Sequence, residues 1–303
     1  MDQDFHTPIL FLIFNRPDTT QQVFNAIRNI KPKDLYVAAD GPRSNKPGET
    51  EDCIATRSIV EQVDWDCKVH TLFRNENLGC RVAVSSAIDW FFENVEEGII
   101  LEDDCLPNQS FFWFCQELLE KYRNDDRVMH ISGSNYQFGK KWGEGSYYFS
   151  RLAHIWGWAS WRRAWKHYDV QMKSLPQFIK ENKIASIFSN KTVQKNWIKN
   201  LEKIYNGANT WDYQWAYTNL NNNSYCIIPN VNLISNIGFG KKSTHTFDEE
   251  DVLSKMPTEE INEIVHPKYL EYNVEADYFT NTKVFPPLSL LKRIRIKLKK
   301  VLF

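Results

Sequence analysis

The stretch "GIILEDDCLP" (Gly98–Pro107) places four uncharged residues directly before three consecutive carboxylates and closes on a proline. A short apolar run that stops at turn-prone residues reads as a buried strand. Glu102, Asp103 and Asp104 then stand at its carboxyl end. Side chains alternate along a strand, so Glu102 and Asp104 converge on one side while Asp103 turns to the other. Three uncompensated carboxylates would raise one another's pKa, whereas a hard divalent cation with oxygen ligands would hold them ionised. Metal binding is therefore the functional reading. The plain alternative is a solvated turn that caps the helix starting near Asn108.

Working outward, the same strand signal recurs in "PILFLIFN" (8–15) and "DLYVAADG" (34–41), with "TTQQVFNAIRNI" (19–30) between them carrying apolar residues at helical spacing. "KVHTLFRN" (68–75) reads as a further strand, and "GCRVAVSSAIDWFFENV" (79–95) and "QSFFWFCQELLEKYR" (109–123) as helices. Such alternation predicts an α/β fold, a Rossmann-like, mostly parallel central sheet with helices on both faces. Its site belongs beyond the carboxyl ends of the strands. After about residue 127 the chain becomes aromatic and irregular, then polar and helical from Gln177 to Tyr205. The expected organisation is a first part over 1–130, a second part of the same domain over 131–285, and a basic tail over 286–303.

The 303 residues carry 37 Lys and Arg against 38 Asp and Glu, a formal net charge of −1, so nothing in the total points to nucleic acid as a partner. Six cysteines without a C-x-x-C pair suit free thiols in a reducing compartment, with the cytoplasm as the expectation. The first residues are acidic where a signal peptide would be basic, and no apolar run has transmembrane length.

The segment "IILEDDCLPNQSFFWF" (99–114) resembles the acidic strand end of GT-A-fold nucleotide-sugar glycosyltransferases, in particular the Glu-Asp-Asp stretch of N-acetylglucosaminyltransferase I. The likeness is at the level of motifs and spans most of residues 8 to 247. It implies a GT-A fold with an acceptor-side subregion, a nucleoside-diphosphate sugar donor, UDP-linked by preference, and Mn2+ or Mg2+ as cofactor. On this resemblance Asp104 is the metal anchor with Glu102 assisting, and Asp103 reaches ribose or a structural partner.

The companion positions follow in order. Arg16 in "FNRP" and Asp40 in "AADGP" would contact the nucleotide, the first through its planar fork and the second by accepting a ring N–H; a salt bridge and an Asp-Gly turn are their ordinary alternatives. Arg81 in "NENLGCR" can contact the donor or simply be exposed. Within "HIWGWASWRRAW" (154–165) the resemblance places Gly157 and Trp158 beneath the sugars, while the helical spacing of Trp158, Trp161 and Trp165 also fits core packing. Asp212 in "NTWDYQW" sits where a helix begins, which favours its ionised form, and the resemblance makes it the catalytic base; an ordinary first-turn acid is the alternative. His245 in "NIGFGKKSTHT" is the candidate metal-ligating histidine on the same ground, with a loop histidine bonded to a backbone carbonyl as its alternative, and Lys241 and Lys242 can face diphosphate or simply be exposed.

The reaction so implied moves a sugar, with inversion, onto a hydroxyl of a glycan or lipid-linked glycan. The other readings are a noncatalytic carbohydrate-binding protein and a metal-dependent nucleotidyltransferase, although "FNRPDTT" lacks the glycine-rich basic loop expected of the latter. The tail "PPLSLLKRIRIKLKKVLF" (286–303), basic and apolar without an acid, is a candidate contact with an anionic membrane surface, in keeping with resemblance to bacterial surface-polysaccharide glycosyltransferases; packing on the protein's own surface is its alternative.

Overall fold

The computed structural model describes residues 4–239 and 252–285. His245, Lys241, Lys242 and the basic tail from Pro286 lie outside the described residues. Among those described, no helix is long and apolar enough to cross a membrane.

The chain opens with β1 (Ile9–Ile13), α1 (Pro17–Ile30), β2 (Asp34–Ala39), α2 (Glu49–Ser58), β3 (Lys68–Phe73), α3 (Gly79–Asn94) and β4 (Glu97–Glu102). It continues through β5 (Cys105–Pro107), α4 (Gln109–Tyr122), β6 (Val128–Ser132), β7 (Tyr147–Ser150), β8 (Trp158–Trp161) and a short α5 (Arg162–Trp165). The remainder is α6 (Leu175–Lys180), α7 (Ile184–Ile187), α8 (Lys191–Tyr205), α9 (Asp212–Asn221), β9 (Tyr225–Pro229), β10 (Ile234–Asn236) and α10 (Val274–Phe279). Proline opens α1, where its missing N–H costs nothing, and Lys31 closes that helix in the left-handed region.

One eight-stranded sheet runs in the order β3-β2-β1-β4-β8-β6-β9-β7. Strands β3, β2, β1 and β4 are mutually parallel, as are β6 and β9. The antiparallel strand β8 is wedged between β4 and β6, and antiparallel β7 closes the edge on β9. This is the mostly parallel α/β sheet the sequence predicts, with one departure. Trp158 and Trp161 belong to a strand and only Arg162–Trp165 is helical, so the apparent helical spacing of the tryptophans is a strand running into one helical turn.

Alternation along the strands divides the core into two layers. Ile9, Phe11, Val37, Ile99 and Leu101 face the side covered by α1 and α4, whereas Leu10, Leu12, Tyr36 and Ile100 face α3 and the tryptophans 158, 165, 211 and 215. A third cluster, including Leu175, Phe178, Val193, Leu201 and Leu220, gathers α6 to α9 into a helical lobe beside the sheet.

Two histidines are buried, His130 fully and His154 at 5% exposure. The Nε2–H of His130 donates to the His154 carbonyl at 3.0 Å, and its Nδ1 accepts from the Trp215 indole at 3.1 Å. His154 donates from Nδ1 to the Ser134 carbonyl at 3.1 Å. Burial pushes His130 down to about 3 and His154 down to about 4. Because the folded pKa values lie below the unfolded value near 6.5, the contribution of these rings to stability is complete above that pH and is lost as pH falls toward 4 and 3. Imidazole 15N spectra recorded from pH 7.5 to 5 should show both rings remaining neutral; protonation of either above about pH 5.5 would contradict this packing.

Candidate active site

Strands β1, β2 and β4 end at one edge of the sheet, and the chain places Arg16, Asp40 and the three acids just past those ends. The acids do not cap α4. That task falls to Asn108, whose side chain accepts from Ser110 N at 2.9 Å. Instead Asp103 and Asp104 form the turn from β4 into β5. Asp103 is 3% exposed, while Glu102 and Asp104 are half-buried, and the turn brings the carboxylates of Asp103 and Asp104 to one guanidinium rather than parting them as strand alternation predicts.

Arg16 stands at the N-cap of α1 and spans the pair, with Nη2 on Asp103 Oδ1 and Nη1 on Asp104 Oδ2 at 2.9 Å. The fork expected to meet the nucleotide is thus engaged by carboxylates, the salt-bridge alternative for this residue. Asp103 Oδ2 is buried and without a hydrogen bond. Burial pushes Asp103 up to about 6 against the opposing pull of Arg16. Glu102 makes no side-chain hydrogen bond among the described residues, and burial, with Asp104 and Asp103 adding to it, pushes it up to about 8.

Asp40 is also engaged. Its carboxylate accepts from the backbone N–H groups of Gly41, Leu78 and Gly79 at 3.0–3.1 Å, tying the end of β2 to the start of α3. These bonds occupy the acceptor sites expected to read a base. Arg81 likewise turns inward: its guanidinium donates to the Val170 carbonyl, and its backbone N–H donates to Asn209 Oδ1 at 2.9 Å. Trp158 is 0% exposed and stacks on Trp211 at 5.8 Å between centroids, so its indole is core rather than sugar platform. Gly157 adopts φ +61°, and a Cβ there would drive into the Ile234 side chain.

The order of the chain returns late segments to the acids. Strand β10 pairs with β5, Ile237 N–H donates to the Asp104 carbonyl at 2.9 Å, and Gly238 lies directly against the Asp104 carboxylate and Arg16. The next residue, Phe239, packs edge-on against Trp156 at 5.7 Å. Asp212 opens α9, its Oδ1 accepting from the Thr210 hydroxyl, and its charge is felt at both Glu102 and Cys80.

Asp212 also lines a cavity of about 230 Å³ that its neighbours Tyr213 and Ala216 share with Trp156, Trp197 and His154. The structure therefore brings Arg16, Glu102, Asp103, Asp104 and Asp212 into one electrostatic neighbourhood, with Asp40 and Arg81 bracing the loops around it. Sequence reading missed His154, Asn196, Trp197 and Asn200 as cavity residues. Only the spacing of Asn196 and Asn200, one helical turn apart, hinted that they share a face.

No family model matches the chain, and no curated protein matches it. Solved structures resemble it distantly. Mouse xyloside xylosyltransferase 1, apo form, superposes with TM-score 0.35 at 11% identity over 72% of this chain and 81% of its own. A cytidylyltransferase from Leptospira borgpetersenii serovar Hardjo-bovis gives TM-score 0.35 at 12% identity over 64% and 73%. An apo UDP-glucose pyrophosphorylase gives TM-score 0.35 at 9% identity over 73% and 90%. These superpositions are too loose to transfer a site, and the functional reading rests on the geometry above.

Proposed function

We propose that this protein is a glycosyltransferase that moves a sugar from a nucleoside-diphosphate sugar, UDP-linked by preference, to a hydroxyl of a glycan or glycolipid acceptor with inversion. One observation carries the reading: Asp212 lines a ring-sized cavity while lying within the field of the acidic strand end. A carboxylate so placed is a base for a substrate held in the cavity, and the acidic end of β4 is where a charged leaving group would be handled. In the displacement the acceptor hydroxyl oxygen bonds to the anomeric carbon, its proton passes to Asp212, and the anomeric carbon–oxygen bond breaks to release the nucleoside diphosphate.

The acids fit a divalent cation. Arg16 supplies one positive charge to a group of three carboxylates, leaving Glu102 without a counter-charge and Asp103 Oδ2 without a partner. Among the described residues no group of three or more His, Cys, Asp or Glu side chains is placed to hold a metal ion, so in this reading phosphate oxygens and water would serve as ligands beside Asp104 and Glu102. A cation held there supplies charge stabilisation for the departing diphosphate. Arg16 then acts by orienting Asp104, and Asp103 keeps Arg16 in place.

Screening nucleotide sugars with Mn2+ against a mixed glycan panel should yield free nucleoside diphosphate, and chelator should suppress it. Pyrophosphate production from a nucleoside triphosphate and a sugar phosphate would instead establish the nucleotidyltransferase alternative. Donor and glycan binding without turnover would leave a carbohydrate-binding protein.

A further inference from the structure

The cavity beside Asp212 has a composition that the proposed transfer does not by itself require. Its volume of about 230 Å³ is below the roughly 300–1,000 Å³ typical of sites for drug-sized ligands, so it suits a single ring. Trp156 and Trp197 give it aromatic walls, and Asn196 and Asn200, one turn apart on α8, bring amides that make no side-chain hydrogen bond among the described residues. An amide pair of this kind donates and accepts, as a polyhydroxylated ligand demands.

His154 narrows the choice further. It lines the cavity, is 5% exposed, and stacks on Tyr136 at 4.4 Å between centroids. Its Nδ1 holds the proton that bonds the Ser134 carbonyl, so Nε2 presents a lone pair, and that buried nitrogen has no partner. Leaving a buried acceptor unmatched is destabilising, a penalty that a ligand O–H would remove. Among the described residues no Lys or Arg lines the cavity, and the charged group in that lining is the carboxylate of Asp212. A uronate or a phosphate would meet the repulsion of that carboxylate.

We infer that this cavity seats one neutral pyranose residue of the acceptor, with a hydroxyl donating to His154 Nε2, others bonded to Asn196 and Asn200, and the reacting hydroxyl toward Asp212. The identification of that sugar as acceptor rests on the glycosyltransferase reading; the preference for a neutral ring rests on the cavity alone.

Saturation-transfer NMR on the full chain, in the presence of UDP, tests this with neutral methyl pyranosides and with methyl glucuronide as the anionic counterpart. At least one neutral pyranoside should bind and the glucuronide should not. Asn200→Ala, at a half-buried position without a side-chain partner, and His154→Phe, which keeps an aromatic ring against Tyr136, should each weaken the neutral sugar about tenfold while UDP affinity stays unchanged. Equal binding of the glucuronide, unchanged sugar affinity in both variants, or failure of every pyranoside to bind a protein that does bind UDP would overturn the inference and leave the transferase reading standing. Pyranoside binding that is lost in Asn200→Ala, in a protein that neither binds nor turns over nucleotide sugars, would instead uphold the cavity and overturn the transferase reading.

Discussion

Asp212→Asn lowers glycosyl transfer by at least about a hundredfold while leaving donor affinity within about twofold of the parent, the pattern of a positioned base removed from the transition state. Asparagine keeps the size and still accepts from the Thr210 hydroxyl, so the start of α9 should hold its shape. It cannot take a proton. The Thr210 bond engages Oδ1, which leaves Oδ2 for the acceptor. The measurement is kcat with saturating acceptor together with a separate donor titration. A large loss of donor affinity in a folded variant would make Asp212 a binding residue, and unchanged turnover would remove it from the reaction.

Asp104→Ala should abolish the metal-dependent part of UDP affinity and reduce transfer at least about a hundredfold. The side chain is half-buried at the turn after β4, and Arg16 fixes one of its oxygens from 2.9 Å. A second variant reaches the same group without touching its charge. A Cβ added at Gly238 would collide with Asp104 Oδ2 and stand 2.7 Å from Arg16 Nη1, so Gly238→Ala must displace both. It should reproduce the loss of metal-dependent UDP affinity with the carboxylate still present. Full activity in excess chelator, or an unimpaired Asp104→Ala protein, would sink the assignment of the cation to the end of β4.

The outline of the fold was readable because burial on two faces writes itself into short strands. "PILFLIF", "DLYVAA" and "GIIL" could be placed without a partner in view, since a strand covered on both sides must be apolar throughout. The tryptophan segment misled because three indoles at helical spacing satisfy a helix and a strand-to-helix junction equally well; the wedge of β8 between β4 and β6 decides for the latter. The resemblance places Trp158 beneath the sugars and its spacing also fits core packing; the structure sets it in the layer with Trp211 and Trp215.

Local sequence determined that three acids stand at the end of a buried strand and that Asp212 begins a helix. Those properties depend on hydrophobic runs and on helix-start chemistry, both of which act within a few residues. Tertiary structure alone decided what each charge meets. Arg16 pairs with Asp103 across 87 positions of chain, Asp40 binds the amides of Leu78 and Gly79, and the cavity at Asp212 is assembled from the segment before β8, from α8 and α9, and from Thr280 to Phe285. The physical reason is that periodicity fixes the side on which a residue emerges, whereas an ion pair, a cap or a cavity wall depends on which distant loop the packed layers bring opposite it.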